Sequence, residues 1–136
     1  MNMQDNFSLA NARLQQAHEC LNAAQLLLSA NSFKDSANRS YYAILHSMRT
    51  ILALEGYDSK KHSGIISVFR QKFIKVGRFA PHFSDIIRDP FEIRNLSDYE
   101  DFYVASKAEV EAQLLNAKEF FSAVEKYLES QASNTK

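Results

Sequence analysis

The chain has 136 residues, enough for one domain that buries roughly 65–70% of the surface its unfolded form exposes. Its 16 basic and 16 acidic residues give a net charge of zero, which does not indicate general electrostatic binding of nucleic acid and carries no signal specific for DNA. The single cysteine, the lack of an apolar run of eighteen residues and the polar N-terminus exclude an internal disulfide, a membrane-spanning helix and a signal peptide, so we expect a cytoplasmic protein.

Helical periodicity dominates the chain, because only three glycines and two prolines interrupt it and apolar and polar residues nowhere alternate strictly over five positions. The sequence therefore predicts an all-α fold. Apolar residues spaced by three and four predict a first helix over residues 8–30. A second helix is predicted over residues 33–55, with Ser32 and Asp35 as a capping pair and Gly56 as a left-handed C-terminal cap.

The middle of the chain predicts shorter helices. The third is expected from residue 60 or 63 to Val76, where Gly77 stops it. A short helix should then contain Ile86 and Ile87. Pro90 follows, and it either kinks a continuous helix or starts a new one.

The last helix is marked by Ser106 and Glu109, which have the spacing of a capping box. Its apolar rhythm extends to about Gln131, and residues 130–136 are expected to fray. The whole pattern predicts a single domain, residues 1–136 with an ordered core of about 8–130, folded as an antiparallel four- to five-helix bundle. The predicted core consists of Leu21, Leu28, Tyr41, Ile44, Met48, Ile51, Phe69, Phe73, Ile87, Leu114, Phe121 and Val124.

Charge is unevenly distributed between two neighbouring stretches. Residues 59–84 contain six Lys or Arg, two His and no acid, whereas residues 85–101 contain six acids and two Arg. One interpretation is a pair of solvated faces that complement each other within the fold or across a dimer. The other is a basic wall for a phosphate-bearing ligand beside an acidic surface for a protein partner.

Isolated polar residues give weaker signals. Cys20 lies in an apolar helical pattern, which favours a buried thiol over a nucleophile. His46 is expected to be a hydrogen-bonded packing residue. His62 can bind an anion together with Lys60, Lys61 and the amides at the helix start, or it is a solvent-exposed loop histidine. The four His lie in separate segments, so neither a metal site nor a cofactor is expected.

The densest group of chemically useful side chains follows Pro90. A helix from that position places Arg94 and Asp98 on one face, four residues apart, with Tyr99 next to them. A guanidinium, a carboxylate and a phenol then converge on one small area. This area is either a binding or catalytic site, or an ion pair that braces a helix end or a dimer interface.

Three local motifs follow one another along the chain: SYYAILHSMR at residues 40–49, KHSGI at residues 61–65 followed by Val68 and Phe69, and RNLSDY at residues 94–99. In this order and spacing they resemble a HEPN domain (higher eukaryotes and prokaryotes nucleotide-binding) of the small, free-standing prokaryotic type. The resemblance implies a helical bundle that dimerises with the third motif near the dimer axis. It also implies a partner, a small nucleotidyltransferase, in a toxin-antitoxin pair.

Catalytic members of that family carry Arg, four to six residues and then His in the third motif, and cleave RNA without a metal ion. This chain departs from the pattern, because the corresponding positions after Arg94 hold Tyr99, Glu100 and Asp101, and no His follows His82. A tyrosine is protonated at neutral pH and is a poor base. A carboxylate beside an arginine is also weakened as a base, because its pKa falls.

The sequence thus leaves three functional hypotheses open. The first is a HEPN-like partner of a nucleotidyltransferase in a toxin-antitoxin or defence module, which binds nucleotide or RNA phosphate through Arg94, Asn95, Lys61 and His62. The second is a metal-independent ribonuclease toxin that uses Arg94, Asp98 and Tyr99, a reading weakened by the missing His. The third is a non-catalytic dimeric adaptor.

Overall fold

A computed structural model describes residues 3–87 and 106–134. These residues form helices and no strand, which confirms the all-α prediction. Residues 82–87, at the end of the first described range, are also helical and are called α4. The other helices are α1 (Met3–Ser29), α2 (Phe33–Leu54), α3 (His62–Phe69), which continues into a π-helical turn (Arg70–Ile74), and α5 (Lys107–Asn134).

Helix α2 is the centre of the bundle and contacts α1, α3 and α5. It runs antiparallel to α1, to which it is joined by a short turn. Helix α5 runs in the same direction as α2, because Gln113 donates a hydrogen bond to the carbonyl of Ala37 (3.2 Å) near the start of both helices, and Leu128 packs with Ala53 near their ends. The three long helices therefore pack side by side, and α2 is buried on most of its surface by its neighbours.

The core is rich in phenylalanine rings, which pack against one another edge-on, tilted or stacked. Phe69 of α3 lies edge-on to Phe120 of α5, with ring centroids 5.5 Å apart, and stacks on Phe73 at 5.4 Å. Phe79 and Phe83 extend this cluster towards α4. Aromatic pairs in such geometries add to the free energy gained from burying apolar area, so this cluster fastens α3 and α4 to α5.

Most of the predicted core residues are buried, but two are not. Leu28 and Phe121 are only partly buried, and Phe120 is the fully buried aromatic of α5. The prediction of Phe121 was wrong by one position. The buried side of α5 passes through Gln113, Ala117, Phe120 and Val124, and steps of three and of four are both compatible with a helix.

Helix ends follow local chemistry closely. Gly56 adopts φ +72° after α2, and the amide of Tyr57 donates to the carbonyl of Leu52 (3.0 Å), as a left-handed C-terminal cap requires. At the start of α5 the amide of Glu109 donates to Oγ of Ser106 (3.2 Å), which confirms the predicted cap.

The start of α1, the cap of α2 and the end of α5 differ from the prediction. Helix α1 begins at Met3. Ser32 donates its hydroxyl to the carboxylate of Asp35 (3.0 Å) and makes no side-chain hydrogen bond to the backbone of α2. Helix α5 continues to Asn134, so residues 130–134 are helical where fraying was expected.

Candidate functional site

The loop that leads into α3 is held by its own side chains. The amide of Ser59 donates to Oδ1 of Asp58 (2.9 Å), and the amide of Lys61 donates to Oγ of Ser59 (3.2 Å). Lys61 is extended (φ −93°, ψ 123°) and exposed, and His62 is the first residue of the helix. This geometry fixes Lys61 beside the start of a helix, where amide groups without intrahelical partners favour an anion.

The ring of His62 packs against α2. Its Nδ1 lies 2.9 Å from the hydroxyl of Tyr41, a hydrogen bond whose direction depends on the imidazole tautomer. The ring of Tyr42 meets it edge-on, with centroids 5.8 Å apart. His62 is half-buried, so it is neither loose nor the solvent-exposed loop histidine of the alternative interpretation.

Two arginines connect the same loop to α1 and α2. Arg13 of α1 lies 3.2 Å from the carboxylate of Asp58. Arg49 of α2 donates to the carbonyl of Ser59 (3.1 Å) and lies 3.9 Å from Asp58. Asp58 is about half exposed, so solvent weakens both ion pairs. Their main effect is to hold the loop in one place.

The partly buried side of α2 that faces this loop carries a stripe that the sequence did not predict as a unit: Arg39, Tyr42, His46 and Arg49. The guanidinium of Arg39 lies over the ring of Tyr42 at 5.1 Å, a cation–π contact. The ring of His46 lies 6.2 Å from the same tyrosine. These positions are spaced by three and four residues, which is the signal that was available in the sequence.

The environment of His46 keeps its imidazole neutral. Its pKa is lowered to about 4, first by burial and then by the charges of Arg49, Arg13, Arg39 and His62. Within the described part of the chain, its buried Nδ1 has no hydrogen-bond partner. His46 is therefore a packing residue, as predicted, but the hydrogen bond expected for that nitrogen is not found.

Of the predicted site residues, the structure describes Lys61 and His62. The packing of His62 on Tyr41 and Tyr42 places both residues beside the α2 stripe. We call this group, with Arg13, Arg39, Arg49 and Asp58, the α2–α3 site. It carries several cations and one carboxylate, and the ring of Tyr42 contacts the guanidinium of Arg39 and the imidazoles of His46 and His62. Chemically, it can bind an anionic group and support a flat ring. Arg94, Asn95, Asp98 and Tyr99, the other predicted site residues, lie outside the described residues.

Other functional chemistry is sparse in the described ranges. Cys20 is buried, and burial raises the pKa of its thiol, which agrees with a packing role. Residues 3–87 and 106–134 contain no group of three or more His, Cys, Asp or Glu that could hold a metal ion. No helix described here combines the length and hydropathy needed to cross a membrane.

Comparisons with known proteins cover most of the chain. The profile of the HEPN domain family matches residues 10–127. A UPF0332 protein of Thermotoga maritima is 31% identical over 113 residues, 83% of this chain and 86% of the relative. A protein of Methanocaldococcus jannaschii named as a candidate toxin is 30% identical over 117 residues, 86% of this chain and 87% of the relative. A second candidate toxin of that organism is 25% identical over 115 residues, 85% of this chain and 78% of the relative.

Proposed function

The chain belongs to the HEPN domain family, and on this premise we propose that it is the toxin-like member of a toxin-antitoxin or defence module. In this proposal it acts as a homodimer with a nucleotidyltransferase-type partner. It binds a nucleotide or an RNA phosphate through Lys61, His62, Arg94 and Asn95. Two relatives named as candidate toxins support the first part, and the chemistry of the α2–α3 site supports the second.

One observation carries the binding proposal: His62 is held in place at the start of α3 by Tyr41 while Lys61 beside it remains exposed. A phosphate at a helix start gains from the amide dipoles. A ring already fixed by packing loses little conformational freedom when the ligand arrives. Lys61 adds a mobile charge, and Arg94 in the third motif adds a planar fork that suits phosphate.

The α2 stripe suits RNA in particular. Nucleic acid without sequence preference is held by cations along the backbone and by rings on which bases stack. Arg39, Tyr42 and Arg49 supply both kinds of group on one side of α2. Arg49 already contacts Asp58 and Ser59. Arg39 and Lys61 are therefore the cations best placed to replace bound water with a phosphate of the RNA.

Replacing Lys61 by alanine is expected to weaken binding of a short single-stranded RNA by about ten-fold at low salt, because one phosphate contact is lost. The slope of log K against log salt should fall by about 0.7 for that single contact. Fluorescence anisotropy with a labelled ten-nucleotide RNA measures both quantities. Lys126→Ala, an exposed lysine on α5, is the matched control. Equal affinities for the two variants contradict the proposed site.

The partner and the dimer need separate evidence. A gene for a small nucleotidyltransferase is expected beside the gene for this chain, and the two purified proteins should elute together. The dimer should appear by light scattering at micromolar concentration. If the protein is strictly monomeric, the proposed dimer interface at the third motif is wrong. The proposed phosphate binding at Lys61 does not depend on that result.

A second candidate function, metal-independent RNA cleavage, is favoured by one observation. The third motif lacks a His, but the described structure places two imidazoles, those of His46 and His62, against the ring of Tyr42. His62 can transfer a proton in a reaction for which Arg94 stabilises the charged phosphate and Asp98 and Tyr99 complete the site. In this alternative, the imidazole of His62 in α3 is the acid or base that the third motif lacks.

The ribonuclease alternative predicts cleavage of RNA in the presence of EDTA by the purified protein. Arg94→Ala should abolish it, and His62→Asn should reduce it strongly, while the helical circular dichroism stays unchanged. Gel analysis of a labelled RNA measures the products. Cleavage that survives Arg94→Ala belongs to a contaminant or another site. If the protein binds RNA tightly and does not cleave it, the ribonuclease alternative is wrong and the first candidate function is supported.

A further inference from the structure

Two cavities meet at the far end of α2, between the π-helical turn and the C-terminal half of α5. Glu55 and Arg78 line both of them, and we call the pair of cavities the Glu55–Arg78 cleft. The first cavity, of about 430 Å³, is also lined by Ile51, Leu54, Tyr127 and Gln131. The second, of about 570 Å³, is also lined by Lys72 and Val76. Both cavities are open to solvent, so they suit one end of a ligand and do not enclose a whole molecule.

Backbone geometry fixes Arg78 in this cleft. Gly77 adopts φ +84°, and the amide of Arg78 donates to the carbonyl of Phe73 (2.8 Å), which is the hydrogen bond of a Schellman cap. The guanidinium then lies over the ring of Phe73 at 5.0 Å. The preceding residues Arg70–Ile74 form a π-helical turn, a rare element that is frequent at functional sites.

Arg78 forms an ion pair with Glu55 that an anionic ligand can replace. Its Nη1 lies 2.7 Å from Oε1 of Glu55, and the two side chains are 46% and 39% exposed. Solvent-exposed pairs contribute little net stability, so a ligand that offers Arg78 a better-placed anion meets a small penalty. Lys72 lines the same cleft and is exposed. The cleft thus holds two cations and one carboxylate, which leaves a single net positive charge.

We propose that the Glu55–Arg78 cleft binds a carboxylate that is attached to an apolar side chain. The planar fork of Arg78 matches a carboxylate in shape, and Leu54 and Tyr127, both only partly buried, give the first cavity an apolar wall. The single net positive charge favours an anion. A doubly charged phosphate doubles the attraction to Arg78 and Lys72 and the repulsion from Glu55 alike, so the apolar wall, and not the charge, favours a carboxylate on an apolar side chain over a nucleotide.

Glu55 distinguishes the two sources of such a group. A polypeptide C-terminus brings a carboxylate alone, so Glu55 competes with it for Arg78, and removal of the Glu55 charge strengthens binding. A free apolar amino acid also brings an ammonium group that Glu55 can accept, so removal of the same charge weakens binding. The side chains of this cleft lie about 20 Å along α2 from Tyr41, given the 1.5 Å rise per residue, so the inference is independent of the proposed function.

Titration with N-acetyl-L-leucine, N-acetyl-L-leucinamide and L-leucine tests the cleft in the full-length chain. Two-dimensional amide NMR is the readout, and shifts are expected at residues 51–55 and 72–78. N-acetyl-L-leucine should bind and its neutral amide should not. A Glu55→Gln variant that binds N-acetyl-L-leucine several-fold more tightly and L-leucine less tightly gives the pattern expected from the charges. If the amide binds as well as the acid, or if neither does, the proposal is overturned.

Two variants separate recognition from folding. Arg78→Lys keeps the charge and loses the fork, and it should weaken binding of N-acetyl-L-leucine by at least ten-fold. Lys72→Gln changes an exposed side chain with little risk to the fold and should weaken binding by a few-fold. Lys34→Gln, an exposed lysine at the start of α2, is the control. Unchanged affinity in both cleft variants overturns the assignment, and unchanged affinity in Lys61→Ala is expected because that residue belongs to the other site.

Discussion

Replacing Phe120 by alanine is expected to lower the free energy of unfolding by about 3–5 kcal/mol, the range for truncating a buried phenylalanine. Its side chain is fully buried. Its ring contacts those of Phe69 and Phe83, each with centroids 5.5 Å away. The loss combines the transfer of the removed atoms with a cavity that helices α3, α4 and α5 all border.

Phe121→Ala is the matched control, since it removes the same atoms from the next position. Phe121 is only partly buried and meets the ring of His18, with centroids 5.9 Å apart. Its truncation should cost about 1 kcal/mol, because much of the ring is already in contact with water. Urea unfolding followed by circular dichroism measures both variants. Equal losses contradict the assignment of Phe120 to the core.

The contrast between these two residues shows how far periodicity alone can predict the core. Apolar spacing located α5 and its buried side to within one residue. It selected Phe121 where Phe120 is the buried residue, since both lie within one helical step of the buried stripe. The choice is made by the neighbours, because Phe69, Phe79 and Phe83 converge on position 120, and no local pattern reports that convergence.

Two helix caps could be predicted from the sequence alone. Gly56 and the Ser106–Glu109 pair act through hydrogen bonds to residues a few positions away, so the sequence contains the whole cause. The π-helical turn at Arg70–Ile74 was not anticipated. Its defining hydrogen bond runs from the amide of Lys75 to the carbonyl of Arg70 (2.8 Å), and no residue type in the segment distinguishes this bonding from an α-helix.

The candidate site was predictable where it is local. Lys61 and His62 are neighbours at a helix start, and the sequence indicated both. The contact between His62 and Tyr41, 21 positions apart, depends on how α3 packs on α2, which the sequence does not show directly. The spacing of Arg39 and Arg49 on one face of α2 could be predicted from the sequence. The ion pair of Arg49 with Asp58 could not, because it depends on how the loop before α3 packs on α2.

Lowering the pH from 7 to 4 is expected to destabilise the fold in part through His46. The pKa of His46 is lowered to about 4 in the folded protein from an ordinary value of 6.5, so between these values the unfolded chain binds a proton that the folded chain does not. Stability is therefore full above pH 6.5 and falls as the pH drops towards 4. At 1.36 kcal/mol per pKa unit, the loss is at most about 3 kcal/mol, and partial exposure of the ring reduces it.

His46→Gln removes the titrating group and should flatten the stability profile between pH 6.5 and 4. The relevant comparison is the slope of the free energy of unfolding against pH, since a general loss of packing in the variant lowers the whole curve without changing that slope. His18→Gln, at an exposed position on α1, should keep the wild-type slope. Arg39, Arg49 and Arg13 contribute to the low pKa of His46, so Arg49→Gln should reduce the slope partially. A wild-type slope in His46→Gln shows that carboxylates elsewhere carry the acid sensitivity and that the cations around His46 do not.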